Sequence, residues 1–339
     1  MTTKLPTDGA YRYDFERPIV ELASRLTTLR KDPSTGKEPA TIRSLEAQLE
    51  QLKRQVYGNL TAWQRIQLAR HPLRPYTLDY ITLLMSEFIE LHGDRLYGDD
   101  KAMVGGVARL NGQKLLILGH QKGRDTKENL MRNFGSAHPE GYRKALRLMR
   151  LAEKCHLPIV IFIDTPGAYP GIGAEERGQA HSIAYNMREM ARINTPIFIC
   201  VIGEGGSGGA LGVGVGDWVA MLENAYYSVI SPEGCAAILW KDGAKAPQAA
   251  EALKMTAKDL LSMSLIDEVI EEPLGGAHHD PVAVAKRLKD ACLRFLTSVE
   301  GLSPETLLQR RYERFRRIGV FTTLDTLSPL SPPARPASS

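Results

Sequence analysis

The sequence predicts an α/β fold, and two observations carry that prediction. Short apolar runs of strand length alternate with longer helical patterns between about residues 140 and 230. Two of the most apolar runs, residues 158–164 and 196–202, each end in a turn rich in glycine or proline and lead into a helical stretch. Repeated strand–turn–helix units of this kind build a sheet with helices packed against it.

The first 75 residues predict a helical hairpin. Apolar residues recur at spacings of three and four on both sides of the turn-forming stretch 31–40. They are Ile19, Leu22, Leu26 and Leu29 before it, and Ile42, Leu45, Leu49, Leu52 and Val56 after it. Two seams this short make a weak independent coiled coil, so we expect an antiparallel pair packed on the body of the chain. A further helix is expected over residues 75–91.

The central part of the chain begins with a β-hairpin and continues as alternating strands and helices. Residues 102–110 and 114–119 flank Asn111-Gly112, a pair that suits a type I′ turn. The elements expected after it are a helix near 140–155, a strand at 158–164, a helix at 174–193, a strand at 196–202, a helix at 207–215, and strands at 217–222 and 226–230.

The C-terminal part predicts helices. Ser231 followed by Pro232 is typical of a helix start, with a capping hydroxyl and a proline in the first turn. Further helices are expected over 247–264, where Lys254 would be a solvent-facing helix residue, and over 280–318 with a break at 301–304. The whole chain then divides into a helical hairpin (1–75), an α/β core (76–275), C-terminal helices (276–320) and a disordered Ser/Pro-rich tail (321–339).

Composition limits the classes of function. The 339 residues carry a net charge of only +4 with acidic and basic residues interspersed, so nucleic acid is an unlikely partner. Between residues 122 and 154 there are nine Lys/Arg and four Asp/Glu. Such an excess of positive charge is usual on a solvated helix face; the alternative is a surface that attracts an anionic substrate. The four cysteines are isolated, which disfavours a zinc ribbon or a disulfide framework. With no signal peptide and no apolar stretch of about eighteen residues, we expect a cytoplasmic protein with no membrane span.

The glycine-rich segment 196–211 is the most informative for function, with five glycines among residues 203–209. Three interpretations compete. Gly203, Gly205 and Gly208 match a dinucleotide fingerprint, but an acidic residue at the required distance is missing. Ser207 in a Gly-x-Ser-x-Gly pattern suggests a nucleophile elbow, which needs a base within reach. The third interpretation is an oxyanion hole of main-chain amides, with Ser207 as the helix N-cap.

A second turn, over residues 164–173, favours the amide interpretation. In a parallel sheet the turns at the carboxyl ends of neighbouring strands lie together, so the amides near Gly167 and Ala168 are expected to converge with those near Gly205 and Gly206. Neither turn brings a clear nucleophile or metal cluster. The expected chemistry is therefore stabilisation of negative charge by the backbone.

Six strings along the chain carry a resemblance to a known family. They are HGDRLYGDD (92–100), GHQKGRDTKENLMRNFG (119–135), PEGYRKALRLM (139–149), DTPGAYPGIGAEERGQA (164–180), IGEGGSGGALG (202–212) and SPEGCAAILWKD (231–242). Together they resemble the alpha subunits of bacterial acetyl-coenzyme A carboxylase carboxyltransferase, over about residues 10–320. This resemblance implies a crotonase-like (ClpP/crotonase) spiral of strand–turn–helix units.

The resemblance also implies an activity and partners. The family transfers a carboxyl group from carboxybiotin, carried on a separate biotin carboxyl carrier protein, to acetyl-coenzyme A, forming malonyl-coenzyme A for fatty acid synthesis. The implied partners are the beta subunit of an α2β2 heterotetramer, the carrier protein and biotin carboxylase. No covalently bound cofactor is expected on this chain, since the carrier protein presents carboxybiotin, and zinc is expected on the beta subunit only.

The family motif places the amides for the biotin oxygen at Gly205 and Gly206, with Gly167 and Ala168 as secondary candidates. Arg132 and Asn133 are candidates for substrate binding. Two alternatives stay open: a crotonase-type enoyl-coenzyme A hydratase or isomerase, with Glu204 as its acid, and a structural subunit without chemistry of its own.

Overall fold

The N-terminal helices form the expected pair. In this computed structural model, which describes residues 13–31 and 39–320, α1 (Arg17–Lys31) packs on α2 (Pro39–Gly58). Ile19 and Leu26 of α1 and Leu45 of α2 are buried. The Tyr57 hydroxyl near the end of α2 donates to Glu16 before α1 at 2.8 Å, which makes the pair antiparallel. Most of the turn predicted at 31–40 lies outside the described residues, as does the tail 321–339.

Within the described residues, eight strands form one mixed sheet. They are β1 (Met85–Glu90), β2 (Met103–Leu110), β3 (Gln113–His120), β4 (Ile159–Thr165), β5 (Ile197–Gly206), β6 (Trp218–Leu222), β7 (Tyr226–Ser228) and β8 (Glu268–Ile270). Their order is β1-β2-β3-β4-β5-β6-β8, and β7 pairs with β5. The pairs β1–β2 and β2–β3 are antiparallel and the other pairs are parallel.

The apolar runs form the centre of this sheet, as predicted. Every residue of β4 and β5 is buried, which is typical of parallel strands covered on both faces. The hairpin β2–β3 is also confirmed, and Asn111 and Gly112 at its tip have φ of 51° and 83°, as a type I′ turn requires.

Twelve further helices are described around the sheet. They are α3 (Ala62–Ala69), α4 (Thr77–Leu84), α5 (Thr126–Met131), α6 (Pro139–Lys154), α7 (Ile172–Glu176), α8 (Gln179–Met190), α9 (Ser207–Leu211), α10 (Pro232–Trp240), α11 (Ala246–Leu253), α12 (Ala257–Ser262), α13 (Pro281–Ser298) and α14 (Pro304–Arg316). The α10 start is confirmed, since the Ser231 side chain accepts a hydrogen bond from Gly234 N. The break between α13 and α14 falls where proline and glycine predicted it.

Two of the predicted helices are interrupted. The helix expected at 75–91 ends at Leu84, and the chain continues as β1 because the bare backbone at Gly106 lets it approach: a Cβ there would lie 2.0 Å from Ile89 O. The helix expected at 174–193 is divided into α7 and α8 by Gly178, whose φ of 80° no helix accommodates.

Two further helix predictions need correction, and one strand was missed. The helix expected at 207–215 is confined to α9, and the helix expected at 247–264 is divided at Lys254. Lys254 is exposed as expected, but its φ of 51° makes it the residue that ends α11. The three-residue strand β8 was not predicted.

Candidate functional site

The two glycine-containing turns meet at the carboxyl ends of β4 and β5, as the sequence predicts. A Cβ at Gly206 would lie 2.1 Å from Pro166 O, and one at Gly209 would lie 2.5 Å from Gly167 C. Because real Cβ atoms do not approach a backbone so closely, only glycine lets these two segments touch. Gly208 differs, since its Cβ would meet only a side-chain methyl of Ile183 at 3.4 Å. Gly209 therefore packs closely against the neighbouring turn, whereas Gly208 does not.

The first part of the glycine segment is a strand, not a turn. β5 continues to Gly206 because β7 pairs with its last residues, joining Glu204 to Tyr226, Gly205 to Tyr227 and Gly206 to Ser228. The chain turns at Ser207, whose φ is 50°. Gly206 takes the N-cap position of α9 and no side chain caps this helix, so the predicted N-cap role of Ser207 is wrong.

The serine and dinucleotide interpretations lose support from the structure. Ser207 is exposed, and among the described residues its hydroxyl has no histidine or carboxylate hydrogen-bond partner to act as a base. Gly203 has a local explanation, because a Cβ there would lie 2.5 Å from Asp164 Oδ1. The absence of a side chain at Gly203 therefore makes room for the Asp164 carboxylate.

The two secondary candidates differ in the state of their amides. The Gly167 N–H donates to Thr165 Oγ1 at 3.1 Å, so it is already satisfied. In the described part of the chain, no acceptor for the Ala168 N–H is found. Both residues are half-buried. Ala168 is therefore the better placed of the two to donate to a substrate oxygen.

A charged cluster that the sequence did not predict joins the two strand ends. Lys122 Nζ lies 2.6 Å from Asp164 Oδ1 and 2.8 Å from Glu204 Oε1. Arg70 Nε and the Tyr226 hydroxyl both donate to Glu204 Oε2, at 2.8 and 2.6 Å. The cluster directly precedes both turns.

Glu204 cannot serve as the general acid of a hydratase. Burial alone would raise the pKa of its carboxyl, but the charges of Lys122 and Arg70 outweigh burial and lower the pKa to about 2. At neutral pH the group is ionised and its oxygens are already engaged. This arrangement removes the acid on which the hydratase alternative depended.

Two cavities flank the converging turns. A polar pocket of about 180 Å³ is lined by Arg70, Tyr76, Lys122, Pro166 and Glu204, among others. On the other side, an apolar cleft of about 700 Å³ begins at Ser207 and Ser228 and runs along α8 and α14. Its size is in the range of ligand sites in proteins.

Arg132 and Asn133 make contacts within their own chain. Arg132 Nη1 donates to Lys101 O at 3.0 Å, and Asn133 Nδ2 lies 3.0 Å from His138 Nδ1. Asn133, Phe134 and Gly135 all have positive φ, at 49°, 55° and 82°. Such a run of left-handed residues is costly and marks a segment held by its surroundings.

Residues 13–31 and 39–320 offer neither a cluster of metal ligands nor a membrane-spanning helix. No group of three or more histidine, cysteine, aspartate or glutamate side chains there could hold a metal ion. None of the helices in those ranges combines the length and the apolar character needed to span a bilayer.

The fold is shared with solved carboxyltransferases and related enzymes. The core of transcarboxylase 12S with methylmalonyl-coenzyme A bound superimposes with a TM-score of 0.53 at 19% identity, over 65% of this chain and 41% of that longer chain. A Pseudomonas malonate decarboxylase hetero-tetramer in complex with coenzyme A gives 0.53 at 16% identity, over 65% of this chain and 91% of its own. The architecture is therefore that of the crotonase-like carboxyltransferases, as the resemblance implied.

Closer relatives define the family. A family model described as acetyl co-enzyme A carboxylase carboxyltransferase-like matches residues 12–319. The acetyl-coenzyme A carboxylase carboxyl transferase subunit alpha of Geobacter metallireducens is 54% identical over 92% of this chain and 98% of its own. The corresponding subunit of Thermus thermophilus is 55% identical over 91% of this chain and 98% of its own length. The chain belongs to this family of carboxyltransferase alpha subunits, and it is an enzyme subunit of the transferase class.

Proposed function

We propose that this chain supplies the biotin half of a composite active site, in which a carboxyl group passes from carboxybiotin to acetyl-coenzyme A. The donors are the backbone amides of Gly205 and Gly206, supported by Ala168. The observation that carries the proposal is the contact of the Gly206 and Pro166 backbones, which brings the two turns to one place. Fixed amides of this kind stabilise an oxygen on which negative charge develops.

The residues present fit a biotin ring better than they fit an acid–base mechanism. The Cβ position at Gly167 faces open space, with no atom within 4 Å, so the turn offers room beside the Ala168 amide. Carboxybiotin would bring the carboxyl group, and this chain's amides would donate to its ureido oxygen as that group leaves. Glu204 is held ionised by Lys122 and Arg70 beside the turns, so it has no proton to give to a substrate.

We further propose the partners and the setting. Because relatives are named as the alpha subunit of a carboxyl transferase, a beta subunit is the implied partner, and we propose an α2β2 assembly in which that subunit holds the acyl thioester and a zinc site. A separate biotin carboxyl carrier protein and biotin carboxylase would supply carboxybiotin, so this chain would need no covalent cofactor. Four free cysteines fit a reducing compartment such as the cytoplasm.

The proposal is tested by reconstitution. Transfer of the carboxyl group from malonyl-coenzyme A to free biocytin is measured with this chain alone, with the beta subunit alone, and with both. We expect transfer only in the mixture, and no hydration of crotonyl-coenzyme A in any of the three. Absence of transfer in an assembled mixture, or hydration by this chain, would overturn the proposed function.

A further inference from the structure

The pairing of β4 with β5 is interrupted immediately before the two turns. The strands pair regularly from Ile159 with Ile197 to Ile163 with Val201, and the next pair is Thr165 with Gly205. Three residues of β5 therefore lie opposite Asp164 alone. At this point the regular backbone ladder does not set how the two strand ends lie relative to each other.

Where the pairing of β4 with β5 is interrupted, side-chain contacts connect the two strands in place of backbone hydrogen bonds. The Asp164 carboxylate accepts the Glu204 N–H at 2.9 Å and lies against the bare backbone of Gly203. Lys122 Nζ contacts Asp164 Oδ1 and Glu204 Oε1 at the same time. One ammonium thus connects Asp164 near the end of β4 with Glu204 near the end of β5, directly before the pair of Thr165 with Gly205.

Electrostatics make the ammonium necessary for this arrangement. The side chains of Lys122, Asp164 and Glu204 are only 11%, 2% and 9% exposed, so water screens their charges weakly. Without Lys122, the Asp164 and Glu204 carboxylates would lie across the interruption with only Arg70, bound to Glu204 Oε2, to balance their charge. Their repulsion would act directly on the spacing of the two strand ends.

The aliphatic part of Lys122 supports a third segment. A Cβ at Gly135 would lie 2.8 Å from Lys122 Cγ and 3.1 Å from Asp164 O, so the left-handed run 133–135 rests on this lysine stem and on β4. A single side chain therefore contacts the ends of β4 and β5 and the run 133–135, three of the segments around the polar pocket beside the turns.

We propose that Lys122 is a positioning residue for the amides of Gly205 and Gly206, acting through Asp164 and Glu204 across the interrupted pairing. This inference rests on the proposed function, because it assigns what the cluster does for those amides. Lys122 itself touches no reacting atom. Its removal is expected to displace the two turns relative to each other and to slow the chemical step.

The test compares Lys122→Met with a matched control, Lys144→Met, in the complex with the beta subunit. Lys144 is also largely shielded from solvent and contacts Asp99 Oδ1 at 2.6 Å and Asp100 O at 2.7 Å, but it connects α6 with the loop before β2. We expect Lys122→Met to lower kcat for carboxyl transfer to biocytin about 100-fold, because a misplacement of catalytic groups by about 1 Å has an effect of that size. KM for malonyl-coenzyme A is expected to stay within twofold of the wild-type value. Lys144→Met is expected to lower Tm but to keep kcat within threefold.

A double variant separates positioning from simple charge balance. Lys122→Met with Glu204→Gln leaves no excess charge and should regain most of the Tm that the single variant loses. If Lys122 positions the turns, kcat stays at least 30-fold low in the double variant. If kcat recovers together with Tm, or if Lys122→Met assembles and keeps normal kcat, the proposal is wrong. Should Lys122→Met fail to assemble, the double variant alone gives the answer.

A readout without activity keeps this inference distinct from the proposed function. Amide hydrogen exchange over residues 165–169 and 203–209 is expected to accelerate at least tenfold in the Lys122 variants and to stay unchanged in Lys144→Met. If the wild-type complex transfers no carboxyl group, the proposed function fails while this exchange pattern still decides the role of Lys122. Unchanged exchange in the Lys122 variants would overturn the positioning role even in an active enzyme.

Discussion

A methyl group at Gly206 should separate the two turns on which the site depends. The Cβ of Gly206→Ala would lie 2.1 Å from Pro166 O and 2.4 Å from Pro166 C, whereas an ordinary contact begins near 3.4 Å. The Pro166 turn must therefore retreat by roughly 1 Å, and a displacement of that size costs on the order of 100-fold in rate. Loss of one amide donor costs about 10²–10³-fold, or about 2.7–4 kcal/mol. We expect kcat to fall by about 100-fold or more.

Gly208→Ala is the matched control for this experiment. It adds the same methyl group two residues further along, where the nearest atom is the Ile183 Cδ1 methyl at 3.4 Å. Both variants are assayed for carboxyl transfer from malonyl-coenzyme A to biocytin after size-exclusion chromatography confirms assembly with the beta subunit. We expect kcat within twofold of wild type for Gly208→Ala. A Gly206→Ala complex that keeps more than a third of wild-type kcat would refute the assignment of the amides.

Three further outcomes are expected. The folded-state pKa of Glu204 lies near 2, below its ordinary 4.5, so its ionisation stabilises the fold above about pH 4.5 and this contribution is lost as pH falls toward 2. Glu204→Gln should therefore be less stable at pH 7, and its free energy of unfolding in urea should fall less steeply between pH 4.5 and pH 2. An unchanged pH dependence would contradict the reasoning. Arg74→Met, which leaves Glu272 buried and unpaired, should lower the free energy of unfolding by about 3–5 kcal/mol in guanidinium chloride, and a loss under 1 kcal/mol would count against the pair. Lys254→Gly should relieve the left-handed backbone, raise stability by about 0.5–1 kcal/mol and leave transfer unchanged; loss of transfer would show a role for this lysine.

The central strands were predictable because burial leaves a plain signal. The runs that became β4 and β5 are continuously apolar, and glycine or proline marks where each one ends. Convergence of the two turns followed from the geometry of parallel sheets. By contrast, β1 was predicted as helix because its apolar residues continue the spacing of α4, and only pairing with β2 selects the strand.

The charged cluster could not be predicted, because its members come from distant parts of the chain. Arg70, Lys122 and Glu204 are ordinary charged residues in sequence, and each is more often a surface residue than a buried one. Asp164 gave the strongest available signal, since it is a carboxylate at the end of an otherwise apolar strand. Which cation would neutralise it depends on the path of the chain and on the interrupted pairing of β4 with β5.

The roles of Arg132, Asn133, Gly205 and Gly206 stay predictions, while the structure distinguishes the amide of Gly167 from that of Ala168. Gly167 was chosen for its turn, but its N–H is taken by Thr165, which a sequence pattern cannot show. Ala168, chosen with it, retains a donor. The difference depends on one side-chain hydroxyl two residues away.

We claim that this chain provides the amides that face the biotin oxygen. A structure of the complex between this chain and its beta subunit, with biocytin bound, measures this directly. We expect the ureido oxygen within about 2.7–3.1 Å of the amide nitrogens of Gly205 or Gly206, with Ala168 adjoining. A ureido oxygen held only by residues of the beta subunit, with the β5 end of this chain empty, would contradict the claim.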